Sequence, residues 1–242
     1  MKCLVIFLSL LSVVAVADTP TAVSEAIIKK IKSVRVDVKI GEITPSPVPG
    51  LYAVPIQGGP TIYATTDGKY FFGGDLFRVG KGRFVNLREE AKSKERQAAL
   101  SAVSEKDLVI FSPKGETKGV VNIFTDVDCT YCRKFHQQIS DLNDVGIEIR
   151  YLAFPREGLE SSSYRRIASA WCARDKQLAV TALKNGENIE ENVCENNPVA
   201  SQYKLGLKVG VMGTPAMVLQ DGSLLQGYHT VEQLTKILDI KI

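Results

Sequence analysis

The sequence predicts an α+β protein made of two folded units joined by a helix. Residues 18–79 combine one amphipathic stretch with short alternating segments and a hairpin signal, and residues 107–242 alternate strand and helix patterns. Residues 80–106, which lie between them, are rich in charged helix-forming residues. A chain of 242 residues is also longer than one average domain, which agrees with two units.

The composition is that of a globular protein without a strong charge bias. Hydrophobic residues make up 45% of the chain and charged residues 24%, which excludes a disordered or collagen-like protein. The 30 Lys and Arg residues against 27 Asp and Glu residues leave a net charge of +3, and no run of five like charges occurs. We therefore expect no nucleic-acid partner.

Residues 1–17 have the pattern of a secretory signal peptide. Lys2 precedes an apolar stretch from Leu4 to Val16, and small residues flank the expected cleavage site after Ala17. The apolar stretch is shorter than the roughly 20 residues that cross a bilayer. We expect cleavage and export of a soluble protein to an oxidising compartment, with a retained N-terminal anchor as the alternative.

The first unit, residues 18–79, is predicted to contain one helix followed by strands. Val23, Ile27 and Ile31 recur at helical spacing, which predicts a helix over residues 20–32. Residues 34–40 alternate strictly between apolar and polar, which predicts a strand. Further strands are expected at residues 52–56, 61–65 and 70–77, with a hairpin turn at Asp67-Gly68. A core this small is marginal alone, so we expect the unit to pair with a second copy.

The linker region, residues 80–106, is predicted to form a helix from Asn86 to about Val103. Its apolar stripe is thin, and Glu90 and Lys94 stand four residues apart. These features favour a solvated, semi-rigid helix between the two units. The alternative is a surface helix packed on one of them.

The second unit, residues 107–242, alternates strands and helices. Strands are expected at residues 108–111, 120–124 and 147–154, followed by a hairpin from residues 214–219 and 224–225. Helices are expected at residues 129–142, 162–184, 200–207 and 231–238.

The chemistry is expected at Cys129 and Cys132, which form a Cys-x-x-Cys motif where a strand ends and a helix begins. A helix N-terminus stabilises a thiolate, so Cys129 is predicted to be the accessible, low-pKa nucleophile. Cys132 shares a helix face with Phe135 and Ile139, and we expect it to point toward the core and resolve mixed disulfides. The alternative, half of a zinc site, requires further ligands, and only His136 and His229 are histidines.

The remaining cysteines point to a structural disulfide. Cys3 leaves with the signal peptide, and four cysteines allow three pairings. Because Cys129 and Cys132 are too close to cross-link much of the chain, Cys172 with Cys194 is the natural second pair. A loop of that size stabilises the fold by roughly 3 kcal/mol.

The third element is Gly213-Thr214-Pro215, which precedes an apolar strand. A proline that opens a strand is tolerated at a sheet edge, and that is the structural alternative here. In a thioredoxin-type site, a cis proline packs beside the cysteines, and the backbone of the residue before it pairs with an extended substrate segment.

These motifs together resemble the DsbC/DsbG family of periplasmic thiol:disulfide interchange proteins. The likeness rests on Cys129-Thr130-Tyr131-Cys132 after Phe124-Thr125-Asp126, on residues 150–156, on Trp171-Cys172-Ala173, and on Gly213-Thr214-Pro215. It covers most of the chain after the signal peptide and is most specific in the C-terminal two thirds.

The resemblance implies a V-shaped homodimer in the periplasm. Each chain would have a cystatin-like N-terminal dimerisation domain, a linker helix, and a thioredoxin fold with a helical insert at about residues 160–205. The implied activity is isomerisation of misfolded, disulfide-containing secreted proteins, with chaperone-like binding in the cleft and a DsbD-type membrane reductase as the electron source. Cys129 and Cys132 would be catalytic, and the substrate would contact Thr130, Tyr131, Thr214 and Pro215. No cofactor or metal is implied.

Two departures and two alternatives accompany this resemblance. Ile123 stands where thioredoxin carries a buried carboxylate, and Arg133 stands where family members often carry histidine, so that it either favours the thiolate or is merely solvated. The alternative functions are a holdase chaperone whose redox pair is secondary, and a DsbG-like reductase of oxidised single cysteines.

Overall fold

The structure, a computed structural model, describes residues 20–80, 82 and 84–241. The chain forms two compact units that divide between Phe77 and Arg78. The signal peptide predicted for residues 1–17 lies outside the described residues. Within the described part of the chain, every helix falls short of the length and apolar character that a membrane crossing requires.

The first unit packs one helix on a small antiparallel sheet. Helix α1 (Pro20–Val34) is followed by strands β1 (Thr44–Pro45), β2 (Leu51–Pro55), β3 (Thr61–Thr65) and β4 (Phe71–Gly73), which pair in that order. The core consists of Val23, Ile27, Val54 and Ala64. Gly68 in the β3–β4 turn has a φ of 64°, and a Cβ there would lie 3.0 Å from Cα of Ile27. The predicted Asp67-Gly68 turn thus also lets the hairpin approach α1 closely.

The strand predicted at residues 34–40 is wrong. Val34 ends α1, and Ile40 makes only an isolated bridge to Ile56. Val34 and Val36 are 83% and 81% exposed, so the alternating valines have no sheet face to cover in this chain. Alternation predicts a strand only where a neighbouring strand offers a partner.

A short ribbon and a helix open the second unit. Strands β5 (Phe77–Val79) and β6 (Phe84–Asn86) pair with each other, and helix α2 (Leu87–Ser101) follows at once. The Asn86 side chain accepts hydrogen bonds from the first free N–H groups of α2, which fixes where the helix begins.

Helix α2 is packed along one face rather than solvated all round. Arg96 is buried, and its Nε donates to the carbonyl oxygen of Val209 at 2.9 Å. Gln97 donates to the carbonyl oxygen of Gln220 at 2.7 Å. Gly222 approaches so closely that a Cβ would lie 1.8 Å from the oxygen of Ser93. These contacts match the alternative interpretation, a surface helix packed on one unit.

The rest of the second unit is a five-stranded sheet with helices around it. In chain order its elements are β7 (Val109–Phe111), β8 (Gly119–Thr125), α3 (Thr130–His136), α4 (Ile139–Asp144), β9 (Ile147–Ala153), α5 (Ser162–Cys172), α6 (Lys176–Lys184), α7 (Val199–Val209), β10 (Ala216–Leu219), β11 (Leu224–Gln226) and α8 (Val231–Ile237). The sheet order is β11-β10-β8-β9-β7, in which β8 and β9 are parallel and the other pairs antiparallel.

Two helices that the sequence predicts as continuous are broken. The stretch at residues 129–142 divides into α3 and α4 at Gln137 and Gln138. The stretch at residues 162–184 divides because the Asp175 side chain accepts from the N–H of Leu178 and starts a new helix. A local cap therefore overrides a helical pattern that continues on both sides.

The central strand β8 supplies both cores of the second unit and leads to the motif. Val121 and Ile123 join the apolar cluster on one face of the sheet, and Phe124 joins the cluster on the other. Because β8 is buried on both faces, its C-terminal end is a fixed platform from which the chain turns into α3.

A disulfide ties the insert helices together. Cys172, at the end of α5, is bonded to Cys194, in the loop between α6 and α7, across a sequence separation of 22 residues. The Cα atoms lie 5.9 Å apart, within the usual range for such a bond. The bond closes a loop that contains the whole of α6.

Replacing both cysteines, Cys172→Ala with Cys194→Ala, should lower the free energy of unfolding by about 3 kcal/mol, because the unfolded chain gains the entropy of an open loop. Urea denaturation followed by circular dichroism measures the difference. Wild-type protein with this bond reduced should show the same loss. Equal midpoints for the oxidised and reduced proteins would contradict the stabilising role.

Candidate active site

Cys129 and Cys132 are free thiols at the first turn of α3. Cys129 is the N-cap residue, and its sulfur accepts a hydrogen bond from the N–H of Cys132 at 3.3 Å. Its thiol donates to the carbonyl oxygen of Thr214 at 3.2 Å. The Cys129 sulfur thus has two partners, one from the helix and one from the loop before β10.

The expectation that Cys129 is accessible and only Cys132 is buried is wrong for this structure. The residues are 2% and 1% exposed, respectively. The Thr214 carbonyl lies against the sulfur of Cys129, which accounts for part of its burial. The two cysteines therefore differ in their partners and charge rather than in exposure.

The surroundings shift the two thiols in opposite directions. The pKa of Cys129 falls to about 5, chiefly because Cys132 hydrogen-bonds to its thiolate, although burial opposes the shift; Thr214 and the charge of Arg156 also contribute. Burial raises the pKa of Cys132, and the neighbouring Cys129 raises it further. At neutral pH the site therefore holds one thiolate, on Cys129, and one thiol, on Cys132.

The loop before β10 forms the other wall of the site. The Thr214–Pro215 peptide bond is cis, and Pro215 is buried. Ala216 pairs with Phe124 in the sheet, and this register brings the loop beside the end of β8. The Thr214 hydroxyl is buried without a hydrogen-bond partner among the described residues, so it is a donor available to the Cys129 thiolate.

A buried carboxylate, Asp126, fixes the turn between β8 and Cys129. It accepts hydrogen bonds from the N–H groups of Asp128 and Arg156, each at 2.8 Å, and from the hydroxyl of Ser163 at 2.8 Å. The Arg156 guanidinium pairs with it at 3.3 Å. Burial opposes the charge on Asp126, yet these hydrogen bonds and Arg156 hold its pKa below the usual value. Sequence reasoning quoted Asp126 and Arg156 within motifs but assigned them no role.

The residues expected to contact substrate lie around the cysteines at different depths. Thr130 and Tyr131 are exposed, whereas Thr214 is half-buried and Pro215 is buried. The centre of the Tyr131 ring lies 6.3 Å from that of Tyr228. The ammonium group of Lys134 lies over the Tyr228 ring, 4.7 Å from its centre. Met212, two residues before Thr214, is fully solvated and was not singled out from the sequence.

Arg133, which was considered from the sequence as a residue that could favour the thiolate, has other partners. Arg133 donates from Nε to the carbonyl oxygen of Val127 at 2.9 Å and pairs with Asp128, so it is directed at the turn rather than at a thiolate.

His136 is buried, and its ring nitrogens lie 3.2 Å from the Tyr151 hydroxyl and 3.0 Å from that of Thr181. Burial, and then the charge of Lys184, lower its pKa to about 4. Among residues 20–80, 82 and 84–241, no cluster of three or more His, Cys, Asp or Glu side chains is placed to hold a metal ion.

Two family models match the chain, one in its N-terminal part and one in its C-terminal part. The model of a disulfide bond isomerase protein N-terminal domain matches residues 15–89, and that of a thioredoxin-like domain matches residues 105–241. Residues 90–104, which include most of helix α2, lie between the two matches.

Relatives match most of the length of the chain. The thiol:disulfide interchange protein DsbC of Escherichia coli (strain K12) is 36% identical over 205 residues, which cover 85% of this chain and 84% of that protein. The protein of the same name from Haemophilus influenzae is 34% identical over 235 residues, or 97% of each chain.

Solved structures are similar to part of the chain. A disulfide interchange protein from Neisseria gonorrhoeae has a TM-score of 0.50 at 27% identity and covers 57% of this chain and 96% of that one. The catalytic domain of Proteus mirabilis ScsC has a TM-score of 0.51 at 18% identity, covering 62% of this chain and 96% of that one, and shares the fold alone.

A thioredoxin-like sheet that carries a Cys-x-x-Cys pair beside a cis proline belongs to a thiol:disulfide oxidoreductase. The N-terminal domain and the relatives that match over most of the chain narrow this class further. The chain belongs to the DsbC family of thiol:disulfide interchange proteins.

In the reduced protein, iodoacetamide should modify Cys129 first, at a rate that rises through a midpoint at about pH 5. The thiolate is the reactive form, and a lowered pKa makes it abundant above that midpoint. Peptide mapping by mass spectrometry identifies the labelled residue, with Cys129→Ala as the unreactive control. First labelling at Cys132, or a midpoint near the ordinary cysteine pKa of about 8.5, would contradict the assignment.

Arg156→Met should raise the pKa of Cys129, since the guanidinium charge favours the thiolate. Alkylation at pH 5 should slow by roughly twofold or more, and the thiolate absorbance should titrate at higher pH. Arg165→Met is the matched control, because Arg165 is exposed and pairs with Glu191 at 3.9 Å. An unchanged midpoint in Arg156→Met would show that this charge does not reach Cys129.

Proposed function

We propose that this protein is a periplasmic disulfide isomerase in which Cys129 attacks wrong disulfides and Cys132 resolves the products that cannot rearrange. The observation that carries the proposal is the opposite pKa shift of two neighbouring thiols. A nucleophile that is ionised at neutral pH beside a resolving thiol that is not ionised lets mixed disulfides persist long enough to exchange.

The isomerisation step regenerates the enzyme. The Cys129 thiolate attacks one sulfur of a substrate disulfide, a new S–S bond forms, and the other substrate sulfur leaves as a thiolate. A substrate thiolate then attacks the substrate sulfur of the mixed disulfide, which forms a new substrate disulfide and returns Cys129 as a thiolate. No net oxidation or reduction takes place.

The competing outcome is reduction. Cys132 attacks the sulfur of Cys129, the substrate leaves as a thiol, and the enzyme becomes a Cys129–Cys132 disulfide. Return to the dithiol form requires an external electron donor, for which we propose a DsbD-type membrane reductase. The high pKa of Cys132 slows this branch, which favours isomerisation.

The surface around Cys129 fits an extended, partly apolar chain. Tyr131, two residues after Cys129, and Met212, two residues before Thr214, have exposed side chains, and Cys129 and Thr214 are in contact. Aromatic and thioether groups bind varied apolar partners because they make large contacts without fixed geometry. We propose that unfolded segments of secreted proteins bind here, with Thr130, Thr214 and Pro215 aligning the backbone, and that chaperone-like retention of substrate follows.

The first unit is proposed to make the protein a homodimer. Strand β4 lies at a sheet edge, and Phe71 and Phe72 on it are exposed. Such an edge is open to pairing with another strand. Two copies joined through these units would carry two active sites, so a substrate released from one remains at high effective concentration near the other. The signal pattern in residues 1–17 supports export to the periplasm, where disulfides form.

A shortened chain of residues 86–242 keeps the cap of α2 and the contacts of Arg96. We expect it to be monomeric by sedimentation and to reduce a small disulfide at an unchanged rate. Its rescue of a scrambled multi-disulfide protein should fall by about tenfold or more, because a second site is no longer nearby.

A monomer with undiminished isomerase activity would overturn the role given to the first unit. Full-length Cys129→Ala separates the other functions. Complete loss of rescue while suppression of aggregation persists supports the isomerase, whereas rescue without Cys129 would favour a holdase. Preferential reduction of a sulfenic acid on a single-cysteine protein would favour the DsbG-like alternative.

A further inference from the structure

Lys184 is a buried cation that binds the turn before the redox cysteines. It is the last residue of α6 and only 4% exposed. Its Nζ donates to the Thr125 hydroxyl at 2.6 Å and to the carbonyl oxygen of Asp126 at 2.8 Å. Both acceptors are uncharged, and none of the ion pairs formed by the described residues includes Lys184.

A lysine in this position is costly. An ammonium group loses its hydration on burial, and a buried charge is ordinarily matched by an opposite one. Burial accordingly lowers the pKa of Lys184, while interaction with Cys132 is the largest influence in the opposite direction. The charge that best compensates Lys184 is therefore a thiolate at the redox pair.

The location of Lys184 links it to the resolving cysteine. Thr125 ends strand β8 and Asp126 begins the turn that leads to the Cys-x-x-Cys motif. The Lys184 ammonium group lies 5.7 Å from the centre of the Tyr151 ring. Ile123, at the position of the buried carboxylate of thioredoxin, is fully buried and apolar. The position of the thioredoxin acid is thus apolar in this chain, and a buried cation, Lys184, is bound instead at the start of the turn that leads to the cysteines.

We propose that Lys184 is a positioning residue for the resolving step: its buried ammonium group stabilises the negative charge that Cys132 carries as it attacks the sulfur of Cys129. This inference rests on the proposed function only in assigning Cys132 to resolution. It gives the helical insert, through α6, a direct part in the redox chemistry.

The step balances as follows. Cys132 loses its proton, and its sulfur lone pair forms the S–S bond with Cys129. The bond between Cys129 and the substrate sulfur breaks, and the departing thiolate takes up a proton. The proton of Cys132 passes to solvent, Cys132 is oxidised and the substrate sulfur is reduced. Cys129 remains in a disulfide, and Lys184 keeps its charge throughout.

Several other ionisable groups lie near Lys184, and their protonation states must not change during the test. Those that influence Lys184 or face it from β8, α3 and β9 are Asp126, Cys129, Arg133, His136 and Tyr151. Buried His136 remains neutral near pH 7, and the pKa of Tyr151 is raised well above its usual value by burial, so neither changes charge in the range to be tested.

The first experiment compares Lys184→Met with Lys204→Met in the full chain. Methionine keeps much of the side-chain volume without the charge, and Lys204 is an exposed lysine on α7, in the same insert. Reduced protein is mixed with oxidised glutathione, and quenched samples follow the mixed disulfide and its resolution separately by mass spectrometry.

We expect resolution in Lys184→Met to slow about tenfold at pH 7 and its pH profile to move upward, with Lys204→Met unchanged. The equilibrium with glutathione should also shift about tenfold toward the protein disulfide, because the charge stabilises the thiolate form and not the neutral disulfide. That factor corresponds to a potential about 30 mV more negative. Rates and equilibrium within twofold of wild type, or a shift toward the dithiol, would overturn the proposal.

A second experiment needs no variant and so does not depend on how Lys184→Met folds. By linkage, a thiolate that is stabilised by Lys184 must raise the pKa of Lys184. In the dithiol form Cys129 supplies such a charge at neutral pH, and Cys132 adds the larger influence as it ionises. NMR titration of the lysine side chain in wild-type protein should give a higher pKa in the dithiol form than in the disulfide form. Equal values would refute the coupling. Neither readout uses isomerisation, so loss of the proposed isomerase function would leave this test intact.

Discussion

The hydrogen-bonded carboxylate of Asp126 is the interaction on which the site depends. It lies at the end of β8, where the chain must leave a doubly buried strand and turn into α3, and it satisfies the backbone of Asp128 within that turn. The same group holds Arg156 through its backbone and its guanidinium, and holds α5 through Ser163. Its carbonyl oxygen accepts from Lys184. Asp126 therefore fixes the turn before Cys129 and the position of Arg156. It also binds helices α5 and α6 of the insert.

This arrangement lets one small volume treat two identical side chains differently. Cys129 is the end of the helix and receives hydrogen bonds and positive charge, whereas Cys132 is one turn further in and receives mainly burial. Because each thiol also acts on the other, ionising the first makes ionising the second harder. The pKa values of the two thiols thus differ because the cysteines lie three residues apart at the start of one helix. Among the described residues, neither sulfur is in contact with a base or with a group placed to bind a metal.

Local patterns predicted the parts of the molecule whose cause is local. The Cys-x-x-Cys motif, its place between a strand and a helix, and the second cysteine pair are all visible as spacing along the chain. Residues 34–40 failed because alternation does not say whether a neighbouring strand exists. The roles of Arg156 and Lys184 were missed because both residues bind Asp126, which lies 30 and 58 residues earlier in the chain, respectively. A signal for Lys184 was present: it continues the buried face of α6 that Val180 and Leu183 define. The packing of α2 depends on Arg96 reaching a carbonyl 113 residues away, which no local pattern encodes.

The disulfide between Cys172 and Cys194 bears on how the protein itself matures. The cysteines of the described chain follow in the order 129, 132, 172 and 194, and the second pair joins neighbours in that order. If the chain is exported N-terminus first, as proposed above, its cysteines meet an oxidant in the same order, and pairing each newly exposed cysteine with the next yields the Cys172–Cys194 bond. A scrambled bond would arise only if a residue of the redox pair stayed unpaired until the insert emerged. The order of the cysteines therefore allows the Cys172–Cys194 bond to form correctly without any disulfide isomerase activity.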